Sequence, residues 1–466
     1  MMLNHFNFKQ VTPGNTLITN DFGRYLFLDS DEFQHLLGEE KQIPDELSER
    51  LRQNWFLLDP MDIYSDETTS ALRYMKRYLF SATALHIFVV TNTCNLQCVY
   101  CQAQANKEHL NGFMTPEIGR KAVDLALQSP EEELTFEFQG GEPLRNFETI
   151  KAIIEHADEV KGDRRIEYTI VSNLSLLTDE MLDFLINHHV KINTSIDGPK
   201  ELHDQNRVTV GGHGSYQYAM RGIERVRAKG QNPGAIQTTT RASLSYPREI
   251  VREYERIGFN GVFLRPLTPL GFAQAEWKRI GYNAEEFLEF YRAAFDEVLK
   301  VNRAGKRFPE LHARYFLKKI VCGEPDNYME LRSPCGAGIG QLAYYYDGNI
   351  YTCDEARMVA EAGDNAFCLG NVLTDDYRSI ITSRKCRATC AASVLEGIPG
   401  CSDCVYQPYC GVCPVINYAQ NGDPFAKQAR DYRCKIYGGI LDFLFSLIHE
   451  NDSEVMEILY SWVEEN

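Results

Sequence analysis

The sequence predicts an α/β fold, a parallel sheet with helical crossovers, with a small α+β unit before it and a cysteine-rich region after it. Three observations carry this. Strand-like and helix-like segments alternate six times between residue 85 and about residue 305. A C-x3-C-x2-C run, Cys94, Cys98 and Cys101, directly follows the first of those strands. The other eleven of the fourteen cysteines all fall between Cys322 and Cys434.

The front unit spans residues 1–75. Phe6 to Thr19 and Tyr25 to Leu28 read as short strands, with turns at Pro13-Gly14-Asn15 and Asn20-Asp21-Phe22-Gly23. Ser30-Asp31-Glu32-Phe33 opens a helix through Leu37, and Pro44-Asp45-Glu46-Leu47 opens another through Trp55.

Residues 80–310 form the α/β unit. Its strands are expected at Leu85–Thr91, Leu134–Gln139, Ile166–Val171, Lys191–Ile196, Ile236–Ala242 and Val262–Arg265. Helices are expected at Pro116–Gln128, Phe147–Glu159, Asp179–Asn187, Ser215–Lys229, Pro247–Ile257 and Glu285–Arg303. Six βα units in a row require parallel pairing, because each crossover returns the chain to the same edge. In residues 320–440 glycine, proline and cysteine obscure any period, apart from a hairpin signal at Tyr346-Asp347-Gly348-Asn349-Ile350. Residues 441–466 complete a terminal helix read over 435–464, with Leu441, Leu444, Phe445 and Ile448 at core spacing.

Composition narrows the function. A net charge of −17 argues against a surface for nucleic-acid phosphates. The start lacks a basic segment followed by an apolar one, and no run of apolar residues is long enough to span a bilayer, so neither a secretory signal nor a membrane partner is expected. A disulfide scaffold would be short and evenly studded. Cysteines gathered in two places read instead as metal ligation in a reducing, cytoplasmic compartment.

Three thiolates in eight residues are one short of a closed zinc or iron–sulfur site, so one coordination position would stay open. Gln139-Gly140-Gly141-Glu142-Pro143 ends the second strand, where paired glycines allow close approach of backbone to a ligand; alone, such a run is a common turn. Ser172-Asn173 at the end of the third strand suits hydrogen bonding to a ligand or capping of the next helix. Ser195 and Asp197 end the fourth strand; His203 and Asp204 read as structural caps, and the planar fork of Arg207 suits a carboxylate.

With its neighbours, the triplet resembles the cluster-binding loop of the radical SAM enzymes. The resemblance implies a partial, open (β/α)6 TIM barrel with its active site at the C-terminal ends of the strands. It implies a [4Fe-4S] cluster on Cys94, Cys98 and Cys101 whose open iron holds S-adenosyl-L-methionine, cleaved reductively to a 5′-deoxyadenosyl radical. Tyr100 would lie near the adenine. Gly140, Gly141, Glu142 and Pro143 match the family's GGEP motif and would face the amino group. Ser172, Asn173, Ser195, Asp197 and Arg207 would serve ribose and carboxylate, and Leu264 the adenine. A small reductant such as flavodoxin or ferredoxin would supply the electron.

The second group resembles a SPASM domain carrying two auxiliary [4Fe-4S] clusters. Cys401, Cys404, Cys410 and Cys434 would hold one, and Cys335, Cys353 and Cys413 the other. The family places three residues between the cysteines matching Cys410 and Cys413; here Gly411 and Val412 alone intervene. A fourth ligand often follows the first cysteine by six residues, where this chain has Gln341. An open iron or a substitute from Cys322, Cys368, Cys386 or Cys390 would follow. A pair of zinc ribbons is the alternative reading of this region.

Residues 1–75 resemble the PqqD-like modules that bind a leader peptide at a sheet edge, although a plain cap on the barrel fits the same pattern. Leu85–Thr91 into the triplet, Leu17–Tyr25 and Cys404–Gly411 look like the His-Xaa-Ser system maturase family. That resemblance implies an oxidoreductase that modifies a ribosomally made precursor peptide by crosslinking, epimerisation or similar chemistry. A formylglycine-forming sulfatase maturase and a non-catalytic iron–sulfur peptide-binding protein are the other readings.

Overall fold

The structure, a computed structural model, describes residues 2–38, 43–59, 61–62, 65–105, 112–324, 331–425 and 431–464. Parts of the expected 1–75, 80–310, 320–440 and 441–466 units therefore lie outside the described residues.

All six expected strands pair in parallel in a single sheet, in the order Leu264–Arg265, Gly234–Thr238, Lys191–Ser195, Arg165–Val171, Glu133–Gly140 and Leu85–Thr91. Their helices match the sequence reading closely; Asp179–Asn187 and Pro247–Ile257 have the predicted bounds. Proline at the first turn fixes the starts of the Pro116–Ala126 and Pro247–Ile257 helices.

The sheet continues past the barrel strands. Gln341–Tyr344 adds in parallel beside Leu85–Thr91, and Asn349–Tyr351 and Cys368–Asn371 follow in antiparallel. The hairpin around Gly348 is thus the far edge of the same nine-stranded sheet, rather than the start of a separate layer. Sequence periodicity could not show this, because strands this short carry little alternation. Two long helices also cross the expected boundaries: Leu311–Val321 passes residue 320 and Tyr432–Glu450 passes residue 440. The single terminal helix is two, Tyr432–Glu450 and Ser453–Val463, broken where Asn451 turns left-handed and Asp452 caps the second. Leu441, Leu444 and Phe445 are fully buried, as their spacing requires.

The front unit is a three-stranded antiparallel sheet, Phe6–Thr12, Asn15–Asn20 and Tyr25–Asp29, covered by the Ser30–Leu37 and Asp45–Gln53 helices. Asp29, one residue ahead of the expected Ser30, caps the first helix with a reciprocal bond to Glu32. A further helix, Asp66–Met75, went unread; Ser65 caps it. The sheet docks on the cysteine-rich region: Asn7 donates to the Ser402 and Cys404 carbonyls, Thr19 to that of Val405, and the Tyr409 hydroxyl to that of Gly23.

Candidate active site

At the C-terminal ends of the parallel strands lies a cavity of about 220 Å³. Cys94, Cys98 and Cys101 line it, with Tyr100, Gly140, Gly141, Ser172, Asn173, Ser195 and Arg207. Ten of the residues singled out in the sequence therefore meet at one mouth, although more than a hundred positions separate Cys94 from Arg207.

The cysteine loop is held by backbone. Leu96–Cys98 pairs antiparallel with Arg207–Thr209, so Cys98 stands opposite Arg207. Cys101 N–H donates to the Cys98 carbonyl at 3.1 Å, closing the turn between the last two thiols. Gly141 and Glu142 N–H groups donate to the carbonyls of Thr91 and Thr93 at 3.0 and 2.9 Å. A Cβ on Gly140 would lie 2.2 Å from the Thr91 oxygen, and one on Gly141 2.2 Å from that of Thr93. The glycine pair is thus required first by the cysteine loop itself, which packs against it more closely than any side chain allows.

Five expected contacts differ. Glu142 does not face the cavity: its buried carboxylate accepts from the Ser172 hydroxyl (2.7 Å) and the N–H groups of Asn173 and Leu144, tying the second and third strand ends together. Pro143 begins the buried turn behind it. Asp197 is fully buried and accepts from Tyr100 (2.8 Å), from Arg207 Nε (3.1 Å) and from Thr238 N–H. It braces the wall instead of meeting a ribose, and Arg207, expected to pair with a ligand's carboxylate, pairs with it while lying over the Tyr100 ring. Leu264 points away into the core, where its N–H meets Glu310; its neighbour Arg265 lines the cavity.

The three thiols keep their protons. Burial raises all of them, Cys98 to about 12, and Cys94 is raised further by Cys98, Glu142 and Cys101. Iron would have to displace those protons, and the buried thiolates so formed, which repel one another, are a donor set for which a cationic centre offers compensation.

His203 and Asp204 are structural, as read. His203 accepts the Asp197 N–H at Nδ1 and meets the Ser215 hydroxyl at Nε2, while Asp204 accepts the N–H of Tyr216. Burial lowers the His203 pKa from 6.5 to about 4. The unfolded chain therefore takes up this proton first as pH falls, and stability held above pH 6.5 is lost towards pH 4, by about 3 kcal/mol. Unfolding midpoints of His203→Gln should fall correspondingly less over that window than those of the parent chain. Parallel falls would refute the assignment.

The later cysteines gather in two neighbouring places, and Cys413 belongs to both. Cys401, Cys404, Cys410, Cys413 and Cys434 line one small cavity, and burial, then the charge of Cys434, Cys404 and Cys401, raises Cys410. Cys335, Cys353 and Cys413 are buried in one cluster, where burial first, then Glu355, Cys413 and Cys335, pushes the Cys353 thiol up. Gln341 is buried at the start of its strand. Of the spare thiols, Cys386 lies against the loop that follows Cys335, donating to the Gly338 carbonyl at 3.5 Å, while Cys322 is exposed. All fourteen cysteines are free of disulfides.

Sequence reasoning missed Thr238, Arg265 and Arg357. The first two end the fifth and sixth strands and were within reach of the strand-end rule. Arg357 comes from the helix after Cys353 and had no local signal.

Residues 88–243 match the family model described as Radical SAM superfamily. The chain is 24% identical to the serine-type anaerobic sulfatase-maturating enzyme of Bacteroides thetaiotaomicron, over 78% of this chain and 90% of that one. It is 31% identical to the radical SAM cyclopropyl synthase TigE of Paramaledivibacter caminithermalis over 29% of this chain and 31% of the relative. Native anSMEcpe with bound AdoMet shares the fold at 19% identity, with a TM-score of 0.68 over 81% of this chain and 99% of the other. Streptococcus suis SuiB bound to precursor peptide SuiA superposes at 14% identity, with a TM-score of 0.55 over 93% of this chain and 100% of the other.

Proposed function

We propose that this chain, whose residues 88–243 match the Radical SAM superfamily model, is a radical SAM enzyme that uses S-adenosyl-L-methionine to modify a ribosomally made precursor peptide. The carrying observation is the convergence of Cys94, Cys98 and Cys101 on one cavity at the ends of six parallel strands. A [4Fe-4S] cluster bound there would supply the electron that cleaves the cofactor and yields the 5′-deoxyadenosyl radical.

The chain's own groups do the rest. Gly140 and Gly141 fix the loop that presents the thiols. Glu142 locks the Ser172–Asn173 strand end, and the Asp197–Arg207–Tyr100 set keeps the opposite wall rigid.

Two further cysteine sets would carry SPASM-type auxiliary clusters, with the ligands partitioned as above. The front sheet leaves the Phe6–Thr12 strand at its edge, with Phe8 exposed, which suits addition of a leader peptide. Likeness to SuiB, solved with a precursor peptide, supports the substrate class. Among the described residues no helix is long and apolar enough to cross a membrane.

Formylglycine formation on a sulfatase is the second reading, favoured by the likeness to the Bacteroides enzyme across most of both chains. Anaerobic incubation with dithionite and S-adenosyl-L-methionine separates them. Deoxyadenosine should rise with a short peptide encoded beside the gene, and not with a sulfatase-motif peptide. Deoxyadenosine no higher than in a protein-free control would reject both.

A further inference from the structure

The cavity is lined by three arginines, Arg207, Arg265 and Arg357, and by no aspartate or glutamate among the described residues. Arg207 and Arg357 each already face a carboxylate, Asp197 and Asp354, so an unmade hydrogen bond rather than net charge would draw an anion here. Arg357 has the least ordinary surroundings. It is 1% exposed, on the Asp354–Glu361 helix that starts directly after Cys353. Nε donates to Asp354 Oδ1 at 2.8 Å, and Nη2 lies within ion-pair distance of the same oxygen, also at 2.8 Å. Nη1, the remaining nitrogen of the planar group, is buried with no hydrogen-bond partner. The other acid nearby, Glu361, is engaged by the Tyr345 hydroxyl, which also accepts from Asn92. A buried guanidinium N–H left unmade is costly, and a carboxylate is the group its planar fork fits best.

We propose that Arg357 recognises a carboxylate of the peptide substrate, carried by an acidic side chain or a free C-terminus, at the wall that faces the cysteine triplet. This rests on the reading of the cavity as the peptide-modifying site. The helix ties that wall to Cys353, so an acid bound there would lie between the two cysteine groups. A substrate with an acidic residue near the modified position is selected, and its amide counterpart is not.

The test is titration of the anaerobically reconstituted holoenzyme, with S-adenosyl-L-methionine present, using blocked tripeptides. Ac-Gly-Glu-Gly-NH2 is compared with Ac-Gly-Gln-Gly-NH2, and Ac-Gly-Gly-Gly as free acid with its amide; the two pairs distinguish side chain from terminus. At least one acid should bind about tenfold more tightly than its amide, as expected for a buried charge-assisted bond. Arg357→Gln should erase that preference and leave S-adenosyl-L-methionine binding within about twofold. The double variant Asp354→Asn/Arg357→Gln, which removes both partners of the buried pair, should behave alike and controls for misfolding. No acid preference in the parent, an unchanged preference in the variants, or loss of S-adenosyl-L-methionine binding in Arg357→Gln would each overturn the proposal. Failure of the parent itself to bind S-adenosyl-L-methionine would instead refute the proposed function, while the acid preference would still report on Arg357.

Discussion

Cys98→Ala should abolish deoxyadenosine formation, taking it to the protein-free background, while leaving the fold intact. Cys98 is in the Leu96–Cys98 strand, whose partner is Arg207–Thr209, and that pairing is made by backbone. Alanine keeps the ladder and removes one sulfur from the cavity wall, so stability should change by no more than about 1 kcal/mol. Iron content should fall by roughly the four atoms of one cluster. Cys404→Ala, in the other cysteine cavity, should also lose iron yet retain cofactor cleavage. Iron assay and chromatographic quantitation of deoxyadenosine on both variants decide the matter. Full iron and full turnover in Cys98→Ala would remove the basis for placing the chemistry at this mouth.

The parallel strands were legible because each is a short apolar run followed by an amphipathic helix, and the crossover then dictates pairing. The mouth was legible because strand ends converge, so residues at those ends meet whatever their sequence separation. What remained hidden has specific causes. Leu264 and Arg265 both close the sixth strand, but successive residues of a strand face opposite sides, and one step moves the side chain from core to cavity. Glu142 and Asp197 lie in the right loops, but nothing local tells whether a carboxylate turns to a ligand or to neighbouring donors. Here Ser172, Asn173, Tyr100 and Arg207 claim them. The extension of the sheet by Gln341–Tyr344 depends on a partner some 250 residues earlier, a contact with no sequence period to announce it.

Asp197→Ala should be the most damaging substitution outside the cysteines, costing about 3–5 kcal/mol. Asp197 is fully buried, and Arg207, whose side chain is 11% exposed, depends on it for its counter-charge. The loss strands a buried cation, and it also removes the acceptor for the Tyr100 hydroxyl and for Thr238 N–H. Native domains are stable by only about 5–15 kcal/mol, so a loss of this size leaves little margin. Because Arg207 stands opposite Cys98, the disturbance reaches the cysteine loop, and iron retention should fall along with the unfolding midpoint. Asp197→Ala/Arg207→Gln removes both charges while losing the same acceptor as Asp197→Ala, and should recover part of the stability lost in that single variant, since removing one partner is worse than removing two. Midpoints of the three proteins in denaturant measure this. A double variant no more stable than Asp197→Ala would show that hydrogen bonds to Tyr100 and Thr238, and not the Arg207 charge, hold this wall in place.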